Sequence, residues 1–215
     1  MRIPILTQGP NRQRRWRVHA GQRLWYASLG KSGAAQMEQY ARSGSIRLRD
    51  ARAADAAALA EFAARVFANT FGPDNAPDDM AIYLAEAFGP DKQAAEIADP
   101  TSRVILAVSG DGDQSAMVGY SHFLFEEDGE SVLLKRLYLD AGQHGRGLAH
   151  RLLEECVRQC RAAGAGRLWL TVWDQNPRAI AFYKKSGFIV SGETTFTLGS
   201  DVQTDLQMEM DLTAI

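Results

Sequence analysis

From Ser45 onward the chain switches repeatedly between two hydrophobic periods. "SIRLRDA" (Ser45–Ala51) reads as a short strand. In "AAALAEFAARVFANTF" (Ala56–Phe71), Leu59, Phe62, Val66 and Phe67 fall on one helix face, and Asp55 is placed to cap the first turn. Asp78 can start a second helix, "DMAIYLAEAF", which Gly89-Pro90 stops; "DKQAAEIAD" reads as a third, short one. The runs "RVILAVS", "AMVGYSHFLFEE" and "SVLLKRLYLD" follow as strands. The helix "RGLAHRLLEECVRQCRAAG" closes on Gly164, a residue suited to a helix C-terminus. "RLWLTVW" is a strand, "NPRAIAFYKKSG" a helix, and "GFIVSGETTF" and "TDLQMEMDL" are closing strands. Strands and helices mixed in this order, with no internal repeat, predict one α/β or α+β sheet domain over residues 45–215.

Residues 1–44 lack this periodicity and read as a disordered, dispensable basic extension, with Met37 a plausible start. Composition sharpens the division. Residues 1–37 carry seven basic side chains and no acid, leaving 17 bases against 26 acids in 38–215, a formal charge of −9 within a total of −2. An acidic body argues against a nucleic-acid binder and suits a cationic substrate. No run approaches the roughly 20 apolar residues of a membrane span. Cys156 and Cys160, four apart on one predicted helix face, read as buried free thiols, which fits a reducing cytoplasm. His19, His122, His144 and His150 form no metal-ligand pattern, so no metal is expected.

The candidate chemistry lies in "DAGQHGRGLAH" (Asp140–His150), three glycines between a strand and a helix. A first helix turn has unbonded N–H groups, and glycines let backbone approach an anion closely. Arg146 can add a charge. The plainer alternative is that Gly142 and Gly145 make a turn and Gly147 permits close packing. A Walker A loop is excluded, since no Gly-Lys-Ser/Thr occurs; "GRGLAH" also misses the Rossmann fingerprint, and the ribose-binding acid is absent.

Downstream, "VWDQNPRAIAFYKKSGF" (Val172–Phe188) supplies a companion. His144-Gly145-Arg146-Gly147-Leu148-Ala149, with Asn176…Ala179…Phe182-Tyr183…Gly187-Phe188, resembles the two signatures of the GNAT superfamily of acetyl-CoA-dependent N-acetyltransferases. His144 stands where that superfamily usually has Gln or Arg. With "FANTFGPDNAPDDMAIYLAEAF" and "GSDVQTDLQMEMDL", the stretch from Ile46 to Leu212 is similar to the bacterial spermidine/spermine acetyltransferases once named as negative regulators of protease synthesis and sporulation.

The resemblance implies an α+β fold with a mixed, mostly antiparallel central sheet, flanked by helices and split to hold acetyl-CoA. It implies that the backbone of Leu137, Tyr138 and Leu139 bonds the pantetheine arm, that His144 and the amides from Gly145 through Arg146, Gly147 and Leu148 to Ala149 hold the pyrophosphate, and that Asn176 bonds the pantetheine. Tyr183 becomes the general acid for the leaving thiolate, after direct attack by an amine on the thioester. A primary amine, first of all a polyamine such as spermidine or spermine, is the expected acceptor. A protein or peptide amino group is the alternative, and a non-catalytic acyl-CoA-binding regulator is the reading from another class. Asp74, Asp79 and Glu126 are the candidate acids for a cationic acceptor, although the run Glu126–Glu130 also reads as a solvated hairpin and Asp78 as a helix cap. No general base is identified, and Lys135 stands where an acid would better serve as one. A homodimer is the assembly common in that family.

Overall fold

The computed structural model describes residues 46–110, 115–198 and 201–213, and the extension expected over 1–44 lies outside the described residues. In chain order the elements are β1 (Arg47–Asp50), α1 (Ala56–Phe71), α2 (Pro77–Phe88), α3 (Pro90–Ala98), β2 (Ser102–Ser109), β3 (Ala116–Phe125), β4 (Ser131–Leu139), α4 (Leu148–Ala162), β5 (Arg167–Trp173), α5 (Pro177–Lys185), β6 (Ile189–Leu198) and β7 (Asp201–Asp211). The strands form one sheet in the order β1-β2-β3-β4-β5-β7-β6. All pairs are antiparallel except β4 with β5.

Strand alternation divides the core between the two faces of this sheet. Leu137, Leu139, Leu170 and Val172 pack with Leu148, Leu152, Leu153, Cys156 and Cys160 of α4 and with Ala179 and Tyr183 of α5. On the other face Val104, Leu106, Tyr120 and Tyr138 pack with Leu59, Phe62, Phe67 and Phe71 of α1 and with Met80 and Phe88 of α2. The two cysteines are buried and unoxidised, with sulfurs 4.0 Å apart, and burial pushes the Cys156 thiol far up. Gly164, at φ 83°, ends α4 in the left-handed conformation anticipated for it.

Two helix starts differ from expectation. Asp55 precedes α1, but its carboxylate does not cap the helix; both oxygens bond Arg49 at 2.7 Å and one also accepts from the Arg52 N–H at 2.7 Å. Helix α2 begins at Pro77, whose fixed φ suits a first helical position, so Asp78 and Asp79 lie in the first turn.

The site is made possible by how β4 parts from β5. The two strands pair only at Ser131–Arg167, Val132–Leu168 and Leu133–Trp169. Beyond that, β5 stays bound to β7 as far as Trp173–Asp205, and β4 to β3 as far as Leu139–Gly119. A β-bulge accompanies the parting: His122 faces Arg136 but Phe123 faces Leu134, which makes Lys135 the extra residue. The bulge lets consecutive side chains reach one partner. Lys135 Nζ lies 2.7 Å and Arg136 Nη1 2.5 Å from the carboxylate of Glu96 on α3. Arg136 is wholly buried; it also donates to the Ala87 carbonyl at 3.3 Å and lies 5.0 Å from the Phe88 ring centre. His122, equally buried, bonds Ser102 at 2.9 Å.

Candidate active site

The open stretch of β4 has unused backbone valences. The Asp140 N–H donates to the Val118 carbonyl at 3.0 Å, so alternate residues of β4, Tyr138 included, bond β3. Leu137 and Leu139 therefore turn their N–H and C=O groups to the split. This corrects the expectation for Tyr138, whose backbone belongs to the ladder and whose ring lies in the α1/α2 core.

At the end of β4 the glycine loop opens into a cleft of about 480 Å³, lined by Leu139, His144, Gly145, Gly147, Leu148 and Ala149 from the loop and α4, and by Arg178, Phe182 and Lys185 from α5. A second groove of about 580 Å³ along the outer face of α4 shares His150 and Ser186 with it. Gly145 and Gly147 have φ of 74° and 81°, a region where a side chain is strained. A Cβ at either would meet nothing within 4 Å, so the glycines serve backbone shape and open space, not tight packing. The plainer packing role for Gly147 is thereby corrected. The first amides of α4, at Leu148 and Ala149, have no intrahelical acceptor. The Arg146 N–H, by contrast, is used within the turn, on the Gln143 carbonyl at 3.3 Å.

His144 is half-buried and bonds the Leu139 backbone; burial first, and then the Arg178 charge, hold its imidazole below the usual histidine range, against the opposite pull of Asp140. Asp140 is in turn fixed to α1 by Arg65 at 2.6 Å. Asn176 is the N-cap of α5: its Oδ1 accepts from the Ala179 N–H at 3.1 Å. Tyr183, two turns along α5, is fully buried against Phe182 and Phe188, and its hydroxyl has no hydrogen-bond partner among the described residues. Burial, with a smaller effect of Cys156, drives that phenol well above its ordinary range, so it stays protonated at neutral pH.

The candidate acids are scattered. Asp74 is exposed in the turn between α1 and α2, and Asp79 is half-buried in the first turn of α2. Glu126 lies near the opposite end of β4 from the cleft and accepts the Trp169 indole N–H at 3.0 Å. It stands some 26 Å along the strand from Leu139 and the glycine loop, at the closed end of the split where Leu133 pairs with Trp169. Sequence reasoning missed Arg178 and Lys185, which share the cleft face of α5 with Phe182 at helical spacing; that spacing was the available signal. Among the described residues no group of His, Cys, Asp and Glu is arranged to hold a metal, and no helix is long and apolar enough to cross a membrane.

Comparison with known proteins agrees with this architecture. The model of the acetyltransferase (GNAT) family matches residues 61–188. An uncharacterised N-acetyltransferase of Mycobacterium bovis is 37% identical over 158 residues, covering 74% of this chain and 98% of the relative. The streptothricin acetyltransferase of Streptomyces lavendulae is 28% identical over 116 residues, 54% of this chain and 60% of that protein. Among solved structures, the PaiA N-acetyltransferase of Thermoplasma acidophilum in complex with coenzyme A superposes with a TM-score of 0.65 at 23% identity, over 78% of this chain and 99% of the other. A sheet parted beside a glycine-lined cleft, with a family model spanning both motifs, leads to one conclusion: this chain belongs to the acetyltransferase (GNAT) family and is an acetyl-CoA-dependent N-acetyltransferase.

Proposed function

We propose that this enzyme acetylates a primary amine of a small cationic molecule, in the first place a polyamine such as spermidine or spermine, with Tyr183 as general acid. The observation that carries the Tyr183 assignment is its buried hydroxyl, which has no hydrogen-bond partner among the described residues. Acetyl-CoA supplies an activated acetyl thioester. The residues present suit it: Leu137 offers an open strand edge to the amide-bearing arm, next to the Leu139 backbone that His144 already bonds, Asn176 keeps its Nδ2 donors after capping with Oδ1, and the amides of Leu148 and Ala149 with Arg178 and Lys185 would face the phosphates. Tyr183 then gives its proton to the departing sulfur, a contribution of typically 10²–10⁴-fold. The acceptor amine, with an ordinary pKa near ~10.4, arrives as an ammonium and must be deprotonated first. Asp74 and Asp79 flank the α1/α2 corner on the face opposite the cofactor cleft and support a cationic acceptor. Relatives named for streptothricin and for mycothiol indicate that acceptor choice varies across the family. Two buried free thiols support a reducing cytoplasm as the place of action. The decisive test is thiol release from acetyl-CoA across spermidine, spermine, simple amines and short peptides. Turnover confined to peptides would replace the small-amine reading with a protein acceptor.

Two expectations concern the cradle. Gly147→Val should raise the KM for acetyl-CoA about tenfold or more, because strain and bulk displace amides whose bonds to charged oxygens are each worth about 1.5–3 kcal/mol. His144→Gln should keep neutral-pH activity but flatten a pH dependence. In the free enzyme the imidazole is neutral at pH 7; a bound diphosphate raises its pKa, so acetyl-CoA binding takes up a proton. Affinity should then rise as pH falls from about 8 to 6 and be lost as pH climbs through the bound-state pKa. Calorimetric titration of coenzyme A at both pH values, for wild type and variant, checks this slope.

A further inference from the structure

Strand β4 changes phase once, and the change falls where the split begins. The Glu126 N–H donates to the Ser131 carbonyl at 2.9 Å and the Asp140 N–H to the Val118 carbonyl at 3.0 Å, so both ends of β4 are bonded to β3. Ser131 and Asp140 are nine positions apart, an odd number that a strict two-residue alternation cannot join. Lys135, the extra residue, absorbs the difference, and Leu134 and Leu137 on either side of the bulge pack into the same α4/α5 core. Lys135 lies two residues beyond Leu133, the last of β4 to pair with β5, and two before Leu137. A bulge leaves a residue unpaired and bends its strand, so its place in the strand decides how the following backbone is aimed.

One carboxylate spans the bulge. Lys135 Nζ lies 2.7 Å from Glu96 Oε1, while Arg136 reaches Oε2 with Nη1 and Oε1 with Nη2, at 2.5 and 3.2 Å. Two consecutive side chains therefore meet one partner, whereas a regular strand would send Lys135 and Arg136 to opposite faces. Glu96 is itself firmly mounted. Gln93, one turn earlier on α3, donates to the Ala87 carbonyl at 3.1 Å, the same oxygen that Arg136 Nη2 bonds at 3.3 Å. Glu96 and Gln93 are both buried, and a charge-assisted contact sheltered from water is stronger and less screened than a surface ion pair. Slipping the bulge by one residue would carry Lys135 or Arg136 off Glu96 and turn the Leu137 backbone away from the split.

We propose that Glu96 is a positioning residue for the cofactor: by gripping Lys135 and Arg136 together it locks the bulge in place and aims the Leu137 backbone at the pantetheine arm. The inference rests on the strand-edge seat for acetyl-CoA proposed above and adds a control of that seat from the far side of the sheet.

The test separates the arm from the diphosphate, since coenzyme A carries both and ADP carries no arm. Lys135→Met releases the bulge residue but leaves Glu96 matched by Arg136, so Tm should stay near wild type. The Kd of coenzyme A should rise about 3–10-fold, the worth of one backbone hydrogen bond, while the inhibition constant of ADP against acetyl-CoA stays unchanged. Lys135→Arg, which restores a cation beside Glu96, should recover the affinity for coenzyme A. Glu96→Gln, measured well below its own Tm, should weaken coenzyme A by a similar factor, and adding Lys135→Met to it should weaken binding no further. Fully additive losses would make Lys135 a direct cofactor contact and overturn the role of Glu96. Unchanged coenzyme A affinity in Lys135→Met, or equal losses for coenzyme A and ADP, overturns it as well. Should Lys135→Met fail to fold, Lys135→Gln carries the same comparison with the same criteria. A wild type that binds coenzyme A no more tightly than ADP overturns the strand-edge seat and the clamp together, whereas any contrary variant result beside an intact wild-type preference overturns the clamp alone.

Discussion

Tyr183→Phe should lower kcat by about 10²–10⁴-fold while leaving the protein as stable as wild type or slightly more so. A general acid must be protonated, close to the leaving group and not committed elsewhere. Burial keeps this phenol protonated at neutral pH, and its hydroxyl donates to no described residue. A buried hydroxyl that bonds none of the described residues carries its desolvation penalty without return, about 1–3 kcal/mol by mutational measures. Its removal therefore costs no interaction, and the ring contacts with Phe182 and Phe188 remain. Most changes at active sites trade activity against a contact, so unchanged Tm with collapsed kcat is a specific signature. It is read by steady-state kinetics beside a thermal melt, and full turnover by the variant would reduce Tyr183 to a core aromatic.

Glu96→Ala should cost about 3–5 kcal/mol, because it leaves Arg136 charged and buried without its counter-ion. For a chain of this size that corresponds to a fall in Tm of roughly 6–20 °C. Burial alone would raise the Glu96 pKa, but the charge and hydrogen bonds of Arg136, His122 and Lys135 outweigh it, and the carboxyl sits below its ordinary value. A depressed carboxyl pKa stabilises the fold above the unfolded value and loses that contribution as pH falls through the folded one. His122 adds to the same trend earlier. Burial and then Arg136 push its pKa down to about 3, so stability begins to fall once pH drops below about 6.5, where the unfolded histidine charges. Pairing Glu96→Ala with Arg136→Met should recover much of the loss, because no charge is then stranded. Denaturant melts of the single and double variants between pH 4 and 8 measure both effects.

What was legible beforehand follows from what sets each feature. Periodicity located all three strands β2, β3 and β4, and for β5 it located both ends, because the run "RLWLTVW" is bounded by Gly166 and Asp174. Helix starts were less legible. An aspartate before a helix reads as a cap, yet Asp55 has a better partner in Arg49, four residues before α1's approach turn, and only the folded backbone brings the two together. The glycine loop was readable because positive φ leaves glycine as its mark in sequence. Glu96, Arg136 and Asp205 were not: an isolated charge on a helix or strand looks like a solvated one until tertiary packing covers it. The bulge at Lys135 leaves no compositional trace either, so the inward turn of that lysine to Glu96 could not be anticipated.

The central claim is that the split between β4 and β5 presents acetyl-CoA on one face to an amine arriving on the other. Its most direct measurement is amine-dependent thiol release from acetyl-CoA by the full chain, with the product identified by mass spectrometry. The account predicts stoichiometric coenzyme A and singly N-acetylated amine, lost together in Tyr183→Phe. Tight acetyl-CoA binding with no thiol release for any amine or peptide would contradict it.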